Sequence, residues 1–133
     1  MVMLNKQLIN PKHIVIVGGS NDAKKPGGKI IQNILEGEFK GELRVVNPKE
    51  QEVQGIKSYV SVKDIPETDM AILAIPAKHC LETIKTLTKQ KKTKAFIIIS
   101  AGFSEANEEG CKLENEIVNV INQAGGSLIG PNC

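Results

Sequence analysis

Two short segments of this chain are apolar at every position, and they constrain the fold more than any other feature of the sequence. They are residues 70–75 (Met-Ala-Ile-Leu-Ala-Ile) and 95–99 (Ala-Phe-Ile-Ile-Ile). A strand that is apolar on both faces is typical of the middle of a parallel sheet with helices packed on either side. Helix-like periodicity at about 27–37, 77–91 and 107–124 separates the strand-like segments, as βαβ units require. The sequence therefore predicts an α/β fold with a doubly wound parallel sheet.

The same alternation predicts the number and order of the strands. Six strands are expected, at about 13–17, 43–46, 55–60, 70–75, 95–99 and 127–129. Right-handed crossovers between them give the Rossmann-like order 3-2-1-4-5-6. At 133 residues the chain is expected to form one domain, residues 1–133, with an aliphatic core because aromatic residues make up only 3% of the sequence. In such a sheet, ligands bind beyond the carboxyl ends of the strands, where the strand order reverses between the first and fourth strands.

The loop after the first strand is rich in glycine and lysine. Gly18-Gly19-Ser20 ends the strand and Pro26-Gly27-Gly28 begins the next helix, with Lys24, Lys25 and Lys29 beside them. Glycines let a backbone approach a phosphate closely, and the unpaired amides at a helix start attract an anion. The loop is longer than the G-x-G-x-x-G fingerprint allows. It favours phosphate binding, although a turn and a helix start alone would also account for the glycines.

The residues after the second strand discriminate between nucleotides. An NAD-binding fold has a carboxylate there that holds the ribose hydroxyls, whereas this chain has Asn47-Pro48-Lys49. Pro48 has an apolar face that could cover an adenine, and Lys49 is a mobile cation suited to a ribose phosphate. The exchange favours a ligand with a phosphate on its adenosine ribose, and coenzyme A (CoA) is the leading candidate. A simple turn is the alternative interpretation of this tripeptide.

Two further loops are expected at the same edge of the sheet. Pro76 ends the fourth strand, and Ser100-Ala101-Gly102-Phe103 follows the fifth, with hydroxyl and backbone donors and a glycine for a tight bend. Each loop by itself has an ordinary structural explanation. The ligand site is predicted because all four loops coincide at one edge.

The sequence contains no arrangement that predicts catalysis or a metal centre. His13 is expected at the opposite edge of the sheet, and His79 has no evident orienting partner. Cys80, Cys111 and Cys133 lack paired metal-ligand spacing, and their odd number predicts free thiols in a reducing cytoplasm. Cys80 and Cys111 are interpreted as packing residues.

Charge and hydropathy exclude several classes of partner. The net charge of +2 is too small to predict nucleic-acid binding, and the basic run at 89–94 is interpreted as a solvated turn. The first twelve residues lack the apolar run of a signal peptide, and no segment reaches membrane-spanning length. A cytoplasmic protein without nucleic-acid or membrane partners is expected.

The last four residues, Gly130-Pro131-Asn132-Cys133, come directly after the sixth predicted strand. A domain seldom ends on the loop that its last strand delivers to the ligand edge. The chain is therefore expected to be a fragment of a longer protein.

Together these motifs resemble the N-terminal CoA-binding domain of the NDP-forming acyl-CoA synthetases. That group includes ADP-forming acetate–CoA ligase and, more distantly, the α subunit of succinyl-CoA synthetase. The matching segments keep the family's order and spacing from Asn10 onward, and they are 15–20, 27–29, 46–49, 74–77, 99–103 and 130–133. A small stand-alone CoA-binding family shares the first three motifs but lacks Ser-Ala-Gly-Phe and Gly-Pro-Asn-Cys, which favours the synthetase.

The resemblance implies a CoA site and the residues that form it. They are Gly18, Gly19, Ser20, Asn21, Lys25, Gly27, Gly28, Val46, Asn47, Pro48, Lys49, Ile75, Pro76, Ser100, Ala101, Gly102, Phe103 and Asn132. The glycine loop and helix start would hold phosphates, residues 46–49 would surround the adenosine end, and Ile75-Pro76 would line the cofactor. Residues 100–103 and Asn132 would face the thiol end.

The resemblance also implies an activity that this chain would share with other parts of a larger enzyme. Family members form acyl-CoA from an acid, CoA and ATP, releasing ADP and phosphate, through an acyl phosphate and a phosphohistidine. That histidine, ATP and magnesium belong to the remaining synthetase domains or subunit, so this chain is expected to bind CoA and to catalyse nothing alone. Two alternatives stay open: the NADP-binding domain of an oxidoreductase, with Lys49 on the 2′-phosphate, and a CoA-sensing module that acts through a partner.

Overall fold

A seven-stranded sheet organises the part of the chain that the computed structural model describes, residues 11–99 and 108–129. In chain order the strands are β1 (His13–Val17), β2 (Glu42–Val46), β3 (Glu52–Val53), β4 (Ile56–Tyr59), β5 (Met70–Leu73), β6 (Ala95–Ile98) and β7 (Ser127–Ile129). Their order across the sheet is β3-β4-β2-β1-β5-β6-β7. Every neighbouring pair is parallel except β3 and β4.

The predicted α/β class and the order 3-2-1-4-5-6 are confirmed, with one strand added. The added strand is β3, two residues long, which forms an antiparallel hairpin with β4 at the edge of the sheet. Two residues are too few to show a hydrophobic period, and a Gln-Gly turn is a weaker hairpin signal than Asn-Gly.

Helices cover both faces of the sheet. They are α1 (Pro26–Glu36), α2 (Ala77–Gln90) and α3 (Glu108–Gln123), with a 3₁₀ turn at Val62–Asp64. No helix of the described part is long and apolar enough to cross a membrane.

The core lies in two layers because neighbouring residues of a strand point to opposite faces. One layer contains Ile14, Ile16 and Val45 packed with Ile31 of α1. The other contains Val15, Val17 and Leu73 packed with α2 and α3, through side chains that include Cys80, Ile84, Leu87, Ile117 and Ile121. All four residues of β5 are buried, as expected for a strand that is apolar on both faces.

The register brings the carboxyl ends of three strands to one level. Val17 of β1 lies opposite Val46 of β2 on one side and Leu73 of β5 on the other. The chain runs from β1 to β2 and β4 on one side, and through β5, β6 and β7 on the other, so the strand order reverses between β1 and β5. The loops after β1, β2 and β5 therefore start side by side at the point where such sheets bind ligands.

Candidate nucleotide-binding site at the carboxyl edge of the sheet

Gly18 is the residue at which β1 passes into the glycine loop. Its φ is +89°, in the left-handed region that other residues rarely adopt. Its N–H donates to the carbonyl of Val46 at 2.9 Å. A Cβ at this position would lie 2.5 Å from the carbonyl oxygen of Ala74, which follows β5. The loop thus leaves the sheet between the ends of β2 and β5, through a space that admits only glycine.

Helix α1 begins beside this turn, and the N–H groups of Gly28 and Lys29 in its first turn donate to the carbonyl of Lys25 at 3.0 and 2.9 Å. Lys25 precedes the helix with extended backbone and Pro26 is its first residue. In the described structure no side chain caps this start, and the first turn contains no acid. Gly27 is buried against the backbone of Gly18, where any side chain would overlap the Gly18 carbonyl. The positive end of the helix dipole therefore lies next to the turn after β1, an arrangement suited to an anion.

Charges around the loop also favour an anionic ligand. Lys24, Lys25 and Lys29 are exposed, and the one acid of the segment is Asp22, also exposed. Asp22 stabilises the loop internally, because its Oδ1 accepts from the N–H of Lys24 at 2.9 Å and its own N–H donates to Oγ of Ser20 at 3.0 Å. Three lysines against one carboxylate leave the loop positive.

Asn47 connects the turn after β2 to the glycine loop. Its Nδ2 donates to the carbonyl of Gly19 at 2.9 Å, and its Oδ1 accepts from the N–H of Lys49 at 2.8 Å. Its backbone N–H donates to the carbonyl of Tyr59 on β4 at 2.9 Å. Asn47 therefore fixes the backbone that carries Pro48 and Lys49, whose side chains are exposed at the same edge.

The loop after β5 completes the described part of this edge. Ala74 N–H donates to the carbonyl of Val17 at 2.8 Å, which holds the loop against the end of β1. Pro76 is exposed, Ile75 is half-buried, and α2 begins immediately afterwards. The buried thiol of Cys80 donates to the carbonyls of Ile75 and Pro76 at 3.9 and 3.7 Å, so the turn is supported from below by the helix that follows it.

The structure brings most of the predicted cofactor-binding residues to this one edge. They are Gly18, Gly19, Ser20, Asn21, Lys25, Gly27, Gly28, Val46, Asn47, Pro48, Lys49, Ile75 and Pro76. Val46 is only 5% exposed and packs in the core, so it borders the site with its backbone. The other five predicted residues, Ser100, Ala101, Gly102, Phe103 and Asn132, lie outside the described residues.

The sequence analysis missed the β3–β4 hairpin, which contacts the glycine loop of the candidate site. Nε2 of Gln54, at the hairpin turn, donates to the carbonyl of Ser20 at 2.8 Å and to that of Gly28 at 2.9 Å. In return, Oδ1 of Asn21 accepts from the N–H of Gln54 at 2.7 Å, and its Nδ2 donates to the carbonyl of Glu52 at 3.1 Å. We call these four hydrogen bonds the loop–hairpin contact. The available signal was Gln-Gly between Val53 and Ile56, a weak form of a two-residue turn.

The remaining candidate residues lie away from this contact. His13 lies at the amino edge of the sheet, as predicted, where its N–H donates to the Asp69 carboxylate at 3.0 Å. His79 is exposed in the first turn of α2. Within residues 11–99 and 108–129, no group of three His, Cys, Asp or Glu side chains could hold a metal ion.

The cysteine prediction needs one correction. Cys111 is disulfide-bonded, so the expectation that all three cysteines are free thiols is wrong. Spacing along the chain does not reveal which thiols approach each other in the fold. Cys80 is a fully buried thiol, as predicted, and Cys133 lies outside the described residues.

Comparison with known proteins agrees with the geometry. The chain matches the family described as CoA binding domain over residues 12–133. It is 43% identical over 125 residues to the alpha subunit of ADP-forming acetate–CoA ligase II of Pyrococcus furiosus, which covers 93% of this chain and 27% of that protein. It is also 40% identical over 129 residues to ADP-forming acetate–CoA ligase I of Archaeoglobus fulgidus; this match covers 96% of this chain and 18% of that protein.

The solved structures agree with the sequence relatives. The dinucleotide forming acetyl-coenzyme A synthetase 1 of Ca. Korarchaeum cryptofilum, in its apo form, superposes with a TM-score of 0.85 at 35% identity. That superposition covers 96% of this chain and 27% of that one. The chain spans between 18% and 27% of the length of these three relatives. With the glycine loop, the Asn47 turn and the Pro76 turn assembled at one edge, and a family match over nearly its whole length, this chain belongs to the CoA binding domain family.

Proposed function

We propose that this chain binds CoA at the carboxyl edge of β1, β2 and β5, and that it is the CoA-binding domain of an ADP-forming acyl-CoA synthetase. The observation that carries the proposal is the convergence of three loops on one edge: an uncapped helix start, the Asn47 turn and the Pro76 turn. The three residues directly after β2 are Asn47, Pro48 and the exposed Lys49, so no carboxylate stands at the strand end itself. This combination fits an adenosine that carries an extra ribose phosphate better than it fits NAD.

The pyrophosphate of CoA would bind at the glycine loop and the start of α1. The helix dipole and the exposed Lys24, Lys25 and Lys29 favour negative charge there. The tight approach of Gly27 to Gly18 supports this assignment, because it brings the helix start to the end of β1 without an intervening side chain.

The adenosine end would lie over the turn after β2. Pro48 offers an apolar ring for the base, and Lys49 offers a cation for the 3′-phosphate. Asn47 restrains this turn on two sides, through Gly19 and Tyr59, so less ordering entropy is lost when the ligand binds. Ile75 and Pro76 would line the pantetheine arm, whose thiol would run toward the segment 100–103 and Asn132.

CoA itself would supply the thiol that accepts the acyl group. The described residues bind and orient the cofactor, and the chemistry of ATP would reside in the remaining domains or a partner subunit. In the complete protein we propose the conversion of a carboxylic acid, CoA and ATP to acyl-CoA, ADP and phosphate, with ATP and magnesium bound outside this chain. The names of relatives from Pyrococcus and Archaeoglobus support this assignment.

Thermal-shift titration of the full-length protein with four ligands tests CoA binding. CoA should raise the melting temperature more than the other three ligands, because the site is proposed to bind it most tightly. At 100 times its Kd, a ligand stabilises the native state by about 2.7 kcal/mol. Dephospho-CoA should stabilise less because it lacks the 3′-phosphate, and NADPH and NADH should stabilise least. A preference for NADPH would overturn the proposal in favour of an oxidoreductase domain.

The synthetase assignment needs a separate assay. The full-length protein, combined with its partner subunit where ATP is bound by a separate chain, is incubated with acetate, CoA and ATP, and adenine nucleotides are separated by chromatography. Release of ADP and phosphate together with acetyl-CoA, or with another acid in place of acetate, is expected. CoA binding without ATP cleavage for any acid offered would favour a CoA-sensing module.

A further inference from the structure

We infer that Gln54 is a positioning residue for the cofactor: it holds the glycine loop in the conformation that receives the pyrophosphate of CoA. The inference rests on the proposed function. Gln54 belongs to the β3–β4 hairpin and approaches the loop from outside, so it acts through the loop backbone. Its single side-chain nitrogen donates to the carbonyls of Ser20 and Gly28, which lie at the two ends of the segment 20–28.

The backbone of Gln54 lies in the left-handed region, which favours glycine. Its φ is +50°, and the next residue, Gly55, has a φ of +84°. Two residues with positive φ form the hairpin turn in which Asn-Gly is preferred, and a long side chain is unfavourable at the first of these positions. Strain of this kind persists where the surrounding structure holds it, and here the Gln54 side chain makes two hydrogen bonds that do so. The glutamine side chain is long enough for its one nitrogen to reach two loop carbonyls, and we expect the shorter asparagine side chain to lose at least one of them.

The contact also fixes the direction of the loop amides. A trans peptide unit is planar, with its C=O and N–H pointing opposite ways. Because Gln54 holds the carbonyl of Ser20 toward the hairpin, the N–H of Asn21 in the same peptide unit points away from it. Asn47 does the same one residue earlier, since it holds the carbonyl of Gly19 and so orients the N–H of Ser20. Two side-chain amides therefore fix the orientation of two consecutive loop N–H groups, as a preorganised anion-binding loop requires.

The hairpin is anchored well enough to serve this purpose. The side chain of Asn21, in the loop, donates a hydrogen bond to the carbonyl of Glu52 and accepts one from the N–H of Gln54. The side chain of Val53 is fully buried in the core layer of α1. β4 pairs with β2, and Ser58 Oγ donates to the carbonyl of Asn47 at 3.1 Å. The loop, the hairpin and the Asn47 turn thus form one connected unit, which reduces the ordering cost at the moment of binding.

Three variants of the full-length protein test this inference, each measured in three ways. Gln54→Asn keeps a residue that favours the turn but shortens the side chain by about 1.5 Å, one carbon–carbon bond. Gln54→Glu keeps the length but removes both N–H donors. Gln51→Asn is the control, because it makes the same chemical change at an exposed residue of the same segment. The measurements are the CoA dissociation constant by calorimetry, the thermal midpoint, and amide hydrogen exchange of residues 18–28 without ligand.

Gln54→Asn should weaken CoA binding about five- to thirty-fold, the equivalent of one or two net hydrogen bonds, while its thermal midpoint changes little because the better turn residue offsets the lost hydrogen bonds. Gln54→Glu should weaken CoA at least as much, and both variants should exchange the loop amides faster. Gln51→Asn should match the wild type in its CoA dissociation constant, its thermal midpoint and its loop exchange. Wild-type affinity and loop protection in Gln54→Asn would overturn the inference, as would an affinity loss that only follows a lower thermal midpoint. If the wild type itself does not bind CoA, the proposed function fails, and unchanged loop exchange in Gln54→Asn would then separately refute the positioning role.

Discussion

Replacing Gly18 by alanine tests how tightly the glycine loop is enclosed by the sheet. Two costs are expected. The first is the left-handed backbone at φ +89°, which disfavours an L side chain by about 1–2 kcal/mol. The second is overlap, because the new Cβ would lie 2.5 Å from the carbonyl oxygen of Ala74, where ordinary contact begins at 3.4 Å. Since that oxygen is backbone beside the buried strand β5, relief requires the strand end to move, at a further cost of about 1–3 kcal/mol.

Gly55→Ala is the matched control because it shares the first cost and lacks the second. Gly55 has a φ of +84°, and a Cβ there would meet nothing within 4 Å. Alanine also lowers the entropy of the unfolded chain by a similar amount in both variants, worth about 0.4–1 kcal/mol. We therefore expect Gly55→Ala to cost about 1 kcal/mol and Gly18→Ala about 1–3 kcal/mol more.

Urea denaturation followed by circular dichroism measures both variants, since the chain has no tryptophan and a single tyrosine. The free energy of unfolding is extrapolated to water with a common m-value. Equal losses in the two variants would refute the reasoning, because they would mean that the Ala74 carbonyl moves aside without cost. A larger loss at Gly55 than at Gly18 would refute it more strongly.

Three further predictions concern the turn after β2 and the core. Lys49→Glu should weaken CoA about tenfold in a calorimetric titration and leave dephospho-CoA nearly unchanged; equal losses for both ligands would mean that Lys49 does not contact the 3′-phosphate. Asn47→Ala removes the hydrogen bonds to Gly19 and Lys49 and should lower both the free energy of unfolding, by about 1–3 kcal/mol, and the affinity for CoA, whereas a loss confined to stability would argue against preorganisation of this turn. Ile84→Ala, at a side chain with 0% exposure, should lower the free energy of unfolding by about 2–5 kcal/mol. The exposed Glu82→Ala on the same helix should stay within about 0.5 kcal/mol, and a comparable loss there would contradict the assigned packing of α2.

Most of the fold could be predicted from local pattern because its strands and helices differ in hydrophobic period. Residues 70–73 and 95–98 are so uniformly apolar that a central position in a parallel sheet followed directly, and the three helices follow from apolar side chains repeated at helical spacing. The meeting of the candidate loops at one edge was also predictable. Parallel strands deliver their carboxyl ends to one edge, and glycine, proline and lysine occupy three of the loops that begin there.

The contacts and the disulfide that the sequence analysis did not predict join residues that are distant in sequence. Gln54 lies 34 positions from Ser20, and nothing in the local sequence of either indicates that they meet. Asn21 was assigned to the cofactor from family resemblance, yet both polar atoms of its side-chain amide bond to the hairpin. The disulfide of Cys111 was missed for the same reason, because a short-range pattern carries no record of which side chains the fold brings together.

Sequence alone determined the class of fold, the strand order and the chemical character of the ligand edge, because hydrophobic period and residue type act over a few neighbouring positions. Tertiary structure decided how that edge is held. Three features arise from long-range packing. They are the register that aligns the ends of β1, β2 and β5, the close approach of Gly18 to Ala74, and the hydrogen bonds from Gln54 and Asn47 to the loop carbonyls. Those contacts exist only once the sheet has formed, since a hydrogen bond between distant residues has no local cause.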